Sequence, residues 1–211
     1  IGLECNIAHT SSVLEDAEDL LKNQQIKNWQ PGLIVSYELS RKLILLSGLI
    51  YQEYSSKSSF TPLDVESLFQ SVRGNAYIFI PMKIGYKIGL IKKKLFLVPN
   101  IGVNTGVNLT GGSKYISTTN NAATQTSHTS DPLYFSFEGG LEIEYKLTKS
   151  FTFEIHALYN KGLTEIFNGE INYNTSPSNN GDTYDATHSS TGDYWAFGLG
   201  LKYCLSNLWQ D

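Results

Sequence analysis

The chain has 211 residues, 41% hydrophobic, 17% charged and 12% aromatic, with 18 Gly, 13 Tyr, 10 Phe and 6 Pro, a balance that excludes disorder and collagen-like order. A net charge of −4 and a pI near 5.6 exclude a duplex-binding surface, which needs clustered Lys and Arg, so nucleic acid is not an expected partner. A charged fraction below the usual value of about 25%, beside abundant Tyr, suits a chain that meets something other than water, and the length suits one domain over 1–211.

The first segment alternates at a period of two, Ile1, Leu3, Cys5 and Ile7 opposing Gly2, Glu4, Asn6 and Ala8. Successive side chains of a strand point to opposite faces, so this rhythm reads as a half-buried strand. A long polar link follows over His9 to Asn28, within which Ser12 to Lys22 has the spacing of a short helix. The second strand sets Trp29, Leu33, Val35, Tyr37 and Leu39 against Gly32, Ile34, Ser36, Glu38 and Ser40. The third, Leu43 to Tyr54, is apolar on both faces and its sides stay unassigned. Its longest apolar run, Leu43 to Tyr51, is broken by Ser47 and Gly48 and falls far short of the roughly 18 to 20 residues of a spanning helix.

The fourth strand sets Lys83 and Lys87 opposite Ile78, Ile80, Met82, Ile84, Tyr86 and Ile88, and the fifth sets Leu95, Leu97, Ile101, Val103 and Val107 against Phe96, Asn100, Gly102, Asn104 and Gly106. From Leu133 to Leu147 the odd positions are apolar apart from Gly139, while the even ones include Ser136, Glu138, Glu142, Glu144 and Lys146. Phe151, Phe153, Ile155 and Tyr159 oppose Glu154, His156 and Asn160 in the seventh strand. Trp195, Phe197, Leu199 and Leu201 oppose Tyr194, Gly198, Gly200 and Lys202 in the eighth. The expected fold is therefore all-β, an eight-stranded antiparallel up-and-down barrel.

Links at Arg41 to Lys42, Gly89 to Lys93 and Thr148 to Ser150 are short, whereas those at His9 to Asn28, Ser55 to Asn75, Thr110 to Asp131 and Lys161 to Gly192 are long and polar. In an up-and-down sheet this alternation gathers every long loop at one end. Four such loops on one rim are unusual for a compact soluble domain. Glycine and small residues stud the polar faces and bulky ones the apolar faces; an eight-strand barrel has room inside only for the former, so the apolar faces turn outward to lipid. Trp29, Tyr51, Tyr77, Tyr159 and Trp195 fall near the long-loop ends and Tyr37, Tyr86, Tyr145, Phe151 and Tyr203 near the turn ends, the placement of two interfacial belts.

Several stretches resemble the PorT-like outer-membrane β-barrel family of Gram-negative bacteria: LLSGLIYQEY (45–54), FIPMKIGYK (79–87), Pro-Asn-Ile-Gly (99–102) and Tyr-Asn-Lys-Gly-Leu-Thr-Glu-Ile (159–166). The resemblance implies an outer-membrane location, short periplasmic turns and four long extracellular loops, and it supplies no catalytic residues. It departs at Ser206 to Asp211, which extend past the last alternating residue; Trp209 or Tyr203 is the candidate terminal aromatic.

In this barrel the bore would hold Glu4, Glu38, Glu138, Glu142, Glu144, Glu154 and His156, with Lys83, Lys87, Lys146 and Lys202 as counter-charges. Opposite charges 4 Å apart attract by about 4 kcal/mol at an effective dielectric of 20, so a cross-bore network of structural ion pairs is expected, without a conducting path. Glu154 and His156 share the inward face and Ser136 lies on the neighbouring strand, the residue types of a nucleophilic triad without a legible oxyanion site; no enzyme activity and no cofactor are expected. Glu170, Asp182, Asp185 and Asp193 offer loop oxygens of the kind calcium takes, without an EF-hand pattern. The loop histidines His9, His128 and His188 carry no motif. The sequons at Asn108 and Asn174 matter only in a eukaryotic secretory context, which a bacterial barrel opposes.

Cys5 and Cys204 have no metal spacing; by alternation Cys5 faces lipid and Cys204 the bore, which keeps the thiols apart. The sole methionine is Met82, so the chain reads as a processed product. Function is expected to be non-enzymatic: a monomeric barrel in the lipid bilayer whose loops serve adhesion, ligand or protein binding, or a structural role. The rivals are a soluble lipocalin-like barrel holding an apolar ligand and a membrane-embedded hydrolase or acyltransferase.

Overall fold

The computed structural model describes residues 1–10, 13–15, 21–24, 27–60, 68–91, 94–110, 114–117, 123–129, 132–174 and 183–205. Eight long strands make the barrel: β1 (Gly2–Thr10), β2 (Lys27–Glu38), β3 (Leu43–Phe60), β4 (Leu68–Tyr86), β5 (Leu95–Asn108), β6 (Leu133–Lys146), β7 (Phe151–Gly162) and β8 (Tyr194–Tyr203). Each pairs antiparallel with its neighbour in sequence, and β8 pairs with β1 to close the ring. Closure satisfies the edge groups that an open sheet would leave unpaired.

The register sets the faces. In β6 the burial pattern alternates strictly over 133–139, with Phe135 and Phe137 turned out and Tyr134, Ser136 and Glu138 turned in. Leu199 of β8 is 54% exposed while its neighbours Gly198 and Gly200 are buried. A lipocalin has the reverse arrangement, with apolar side chains inside a wet exterior. The third strand, unassigned from sequence, points Leu43, Leu45, Leu49 and Tyr51 outward and Ile44, Leu46, Ile50, Gln52 and Tyr54 inward. Ile44, Leu46 and Val98 form a small apolar cluster in the bore near the turn end, with Phe96 packed against it.

Short turns at 39–42 and 147–150 are closed by backbone bonds, Leu39 N to Leu43 O and Leu147 N to Phe151 O, each 2.9 Å. The third short link differs from the sequence reading: Ile88–Ile91 forms a strand that folds back on β5, pairing Ile88 with Leu97.

The long connections also depart from the expectation of plain polar loops. Val13–Glu15, Thr183–Ser190, Phe167–Asn174, Ala123–Thr129 and Lys114–Ser117 pair in that order as a second, five-stranded sheet. Leu21–Gln24 pairs with the far end of β3, which with β4 forms a hairpin projecting past the barrel as far as Phe60 and Leu68. The helix expected over 12–22 is thus replaced by strand at 13–15 and 21–24; the rest of that segment lies outside the described residues. Ser206 to Asp211 also lie outside them.

Candidate functional site

The interior of the barrel divides into two zones. Towards the turn end lie the charges. Lys83 Nζ, from β4, is 2.6 Å from Glu138 Oε1 of β6. Lys202 Nζ, from β8, is 3.0 Å from both Glu142 Oε2 and Glu144 Oε1 and also contacts Glu154 Oε2. Lys87 Nζ reaches Glu144 Oε2 at 2.8 Å and Glu38 Oε1 at 3.3 Å. Amides add donors, Asn100 Nδ2 to Glu142 Oε1 and Asn104 Nδ2 to Glu138 Oε2, each 2.8 Å. A buried carboxylate without such partners would cost several kcal/mol, at least about 3.

Two residues assigned to the bore from sequence do not sit in it. Glu38 is exposed at the turn-end rim, where it meets Lys87. Lys146 is exposed too, its Nζ 5.2 Å from the centre of the Phe96 ring. Both have inward parity, but they lie at strand ends, where inward parity no longer means burial. Cys204 likewise lies past the end of β8 and is exposed rather than lining the bore; it and Cys5 form no disulfide.

Towards the long-loop end the bore is aromatic. Tyr54, Tyr77, Phe79, Tyr134 and Tyr194 pack edge to face and tilted, with Tyr54 and Tyr77 centroids 5.7 Å apart at 88° and Phe79 and Tyr134 at 5.4 Å and 83°. Each of the five is at most 5% exposed. Tyr77 was expected in an outward belt, yet it is fully buried; it shares the odd parity of Phe79, Pro81 and Lys83, and that parity prevails over its nearness to the rim. Trp29, Tyr51 and Trp195 do point outward at this end, and Tyr37, Tyr86, Tyr145 and Phe151 at the other.

Ile166, from the segment after β7, caps the aromatic zone and is wholly buried. Its carbonyl accepts from Asn75 Nδ2 at 3.2 Å and Tyr77 OH at 3.4 Å. Tyr134 OH donates to Thr191 O at 3.0 Å, and Asn160 Nδ2 donates to Gly192 O at 3.1 Å. On the rim Asp193 accepts from Gly162 N at 2.9 Å and from Lys161 Nζ at 2.5 Å. Partial burial pushes the Asp193 carboxyl up, but these bonds, with that from the Thr191 hydroxyl, hold it below the ordinary carboxylate value.

The geometry does not assemble a triad. Ser136 Oγ donates to Asn160 Oδ1 at 2.6 Å, and the His156 imidazole meets Asn6, not Ser136. The loop acids are also apart: Glu170 opposes Thr187, Asp185 opposes Asn172, and Asp193 is held by Lys161. Asp182 and the side chains of His128 and His188 lie outside the described residues. The alternation places Tyr134 and Tyr194 on the inward face, as found, and the same parity marks Tyr77; that these rings pack as a plug is not legible in the sequence, and nothing there marks Ile166.

Comparison with known proteins follows from this architecture. The family model described as outer membrane protein beta-barrel domain matches residues 5–168. Among solved structures, the outer membrane protein OprG from Pseudomonas aeruginosa is 14% identical with a TM-score of 0.57, covering 96% of this chain and 93% of its own, a likeness of fold. The N-terminal β-barrel domain of Pseudomonas aeruginosa OprF is 10% identical with a TM-score of 0.42, covering 96% of each chain. Comparison with curated protein sequences gives no match. With apolar side chains around its wall, a closed eight-stranded ring and a family model spanning most of its length, the chain belongs to the outer membrane protein beta-barrel domain family and is a protein of the bacterial outer membrane.

Proposed function

We propose that this barrel is a non-enzymatic, non-conducting and monomeric anchor, one domain over 1–211, that presents its loop-built sheet at the cell surface for adhesion or partner binding. The observation that carries the reading is the pairing of segments from three different long connections, 13–15, 114–129 and 167–190, into one five-stranded sheet. A sheet with two edges in Lys114–Ser117 and Val13–Glu15 is a scaffold suited to recognition, since an edge strand offers unpaired N–H and C=O groups to an incoming chain.

The bore supports the same reading. Five rings and Ile166 pack one zone and ion pairs the other, which supports a plugged bore. The bore charges are then structural, tying together strands that lie one or two apart around the wall. Within the family, the resemblance of the stretches at 45–54, 79–87, 99–102 and 159–166 to PorT-like barrels supports a reading of the chain as one of that kind.

Two measurements test it. Cells displaying the full chain should adhere to a surface that cells displaying a chain with 168–189 replaced by a short Gly-Ser turn do not, with both barrels migrating as folded bands before heating. Planar bilayers carrying the purified protein should show baseline current. Large stable openings, or equal adherence of the two cell types, would overturn the reading.

A further inference from the structure

The bore holds more negative than positive charge. Among the described residues, five buried carboxylates, Glu4, Glu138, Glu142, Glu144 and Glu154, face three ammonium groups. Lys83 is engaged by Glu138, Lys87 by Glu144, and Lys202 by Glu142, Glu144 and Glu154. Glu4 has no ammonium group in ion-pair range; its one partner there is the His156 ring. Charge left uncompensated in a dry interior is costly, and either a proton or a further cation at Glu4 would remove that cost.

The strand register builds a place for a cation. Gly200 of β8 lies between Glu4 of β1 and Glu154 of β7, and Gly198 lies between Asn6 of β1 and His156 of β7. A Cβ at 200 would fall on the Glu154 carboxylate, and one at 198 on Asn6 Oδ1 and the His156 ring. Both glycines therefore clear the wall so that side chains from the flanking strands converge over it.

The chemistry of the converging atoms is specific. His156 Nε2 meets Asn6 Oδ1, and the two ring nitrogens face the two carboxylates. Its Nδ1 lies 3.8 Å from Glu154 Oε1. Glu154 is 1% exposed and its Oε1 accepts no hydrogen bond. On the other side Glu4 Oε2 is also 3.8 Å from the ring, at Nε2. These separations are too long for hydrogen bonds. One ligand atom each from Glu4, Glu154 and His156 lies within 4.8 Å of the other two, and side-chain movements of about an ångström would bring them to the bonds of about 2.0–2.2 Å that one ion takes.

We infer that the bore binds a divalent first-row transition-metal ion through His156, Glu154 and Glu4. An imidazole beside two carboxylates selects such an ion over calcium or magnesium, which prefer all-oxygen shells. Asn6 contacts the imidazole, and Lys202 holds the second oxygen of Glu154, the outer contacts by which metal ligands are oriented. The ion ties β1 to β7 across β8. The inference is independent of the adhesion reading, because it concerns the bore alone.

Zinc is the probe. The chain is folded into detergent with zinc chloride, passed over a chelating column, and its metal content measured. The expected result is about one zinc per chain, retained when His9, His128 and His188 are all replaced by Gln, and below about a tenth in Glu4→Gln and His156→Gln with folded-band migration intact. The thermal midpoint of the unaltered chain should also rise with zinc. Less than a tenth of a zinc in the unaltered chain, or zinc that follows the loop histidines as adventitious surface binding only, overturns the inference. Should the bore variants not fold, nitrogen-15 spectra of the unaltered chain decide: zinc must shift a ring-nitrogen resonance of His156, and an imidazolium spectrum indifferent to zinc overturns the site.

Discussion

Ile166 and Gly192 interlock at the mouth of the barrel: Gly192 adopts a φ of +72°, and a Cβ built on it would fall on the Ile166 side chain and lie 2.9 Å from Tyr134 OH. One residue supplies the cap and the other the room for it, and the left-handed backbone conformation is one that glycine takes without penalty.

Replacing Gly192 with Ala therefore meets both strain and overlap. The expected loss is about 1–3 kcal/mol, read as a lower thermal midpoint of the folded band in detergent. An unchanged midpoint would mean that the cap is not packed as described.

Lys83 of β4 and Glu138 of β6 form a buried pair over β5, the strand between them. Lys83→Met leaves the carboxylate without its counter-ion and should cost about 3–5 kcal/mol, whereas adding Glu138→Gln to it should recover much of that loss. Denaturant titration of the single and double variants in lipid vesicles measures the coupling; additive effects would contradict the contact.

Asp193 gives the rim a pH dependence. Its folded carboxyl titrates below its ordinary value, so its contribution is fully present above the unfolded value of about 3.9 and disappears as pH falls through the folded value. The midpoint difference between the unaltered chain and Asp193→Asn should be constant near neutrality and vanish in strong acid. A difference that grows on acidification would reverse the sign and refute the assignment.

Leu199 lies at the middle of β8 and points outward. Leu199→Arg should destabilise insertion by about 2–4 kcal/mol, the cost of a guanidinium near the bilayer midplane. Vesicle-folding titrations test this, and a loss below half a kcal/mol would place that face in water.

Much of this was legible in the sequence because parity is a strong signal where one face is apolar and the other is not, as in Phe135, Phe137 and Ile143 against Ser136, Glu138 and Glu144. It fell silent in β3, where Ile44 and Leu46 inside are as apolar as Leu43 and Leu45 outside. At strand ends it misled, since Glu38 and Lys146 keep inward parity without a closed wall around them. Tyr77 was misplaced because nearness to the rim was weighed above parity. The second sheet left no trace, because Ala123–Thr129 and Thr183–Ser190 carry Thr, Ser and Asp with no apolar rhythm, and their strand form rests on pairing with distant segments.

The seam between β1 and β8 has a kinetic consequence. Tyr203 N donates to Ile1 O at 2.6 Å across a sequence separation of 202, while the other seven seams join consecutive strands. Hairpins can zip early, but this last joint must bring distant parts of the polymer together, an entropic toll that rises with loop length and slows assembly. The rate-limiting event in biogenesis is then the meeting of first and last strands, and an assembly factor that templates the edge of β1 or β8 would accelerate it more than one acting anywhere else on the ring.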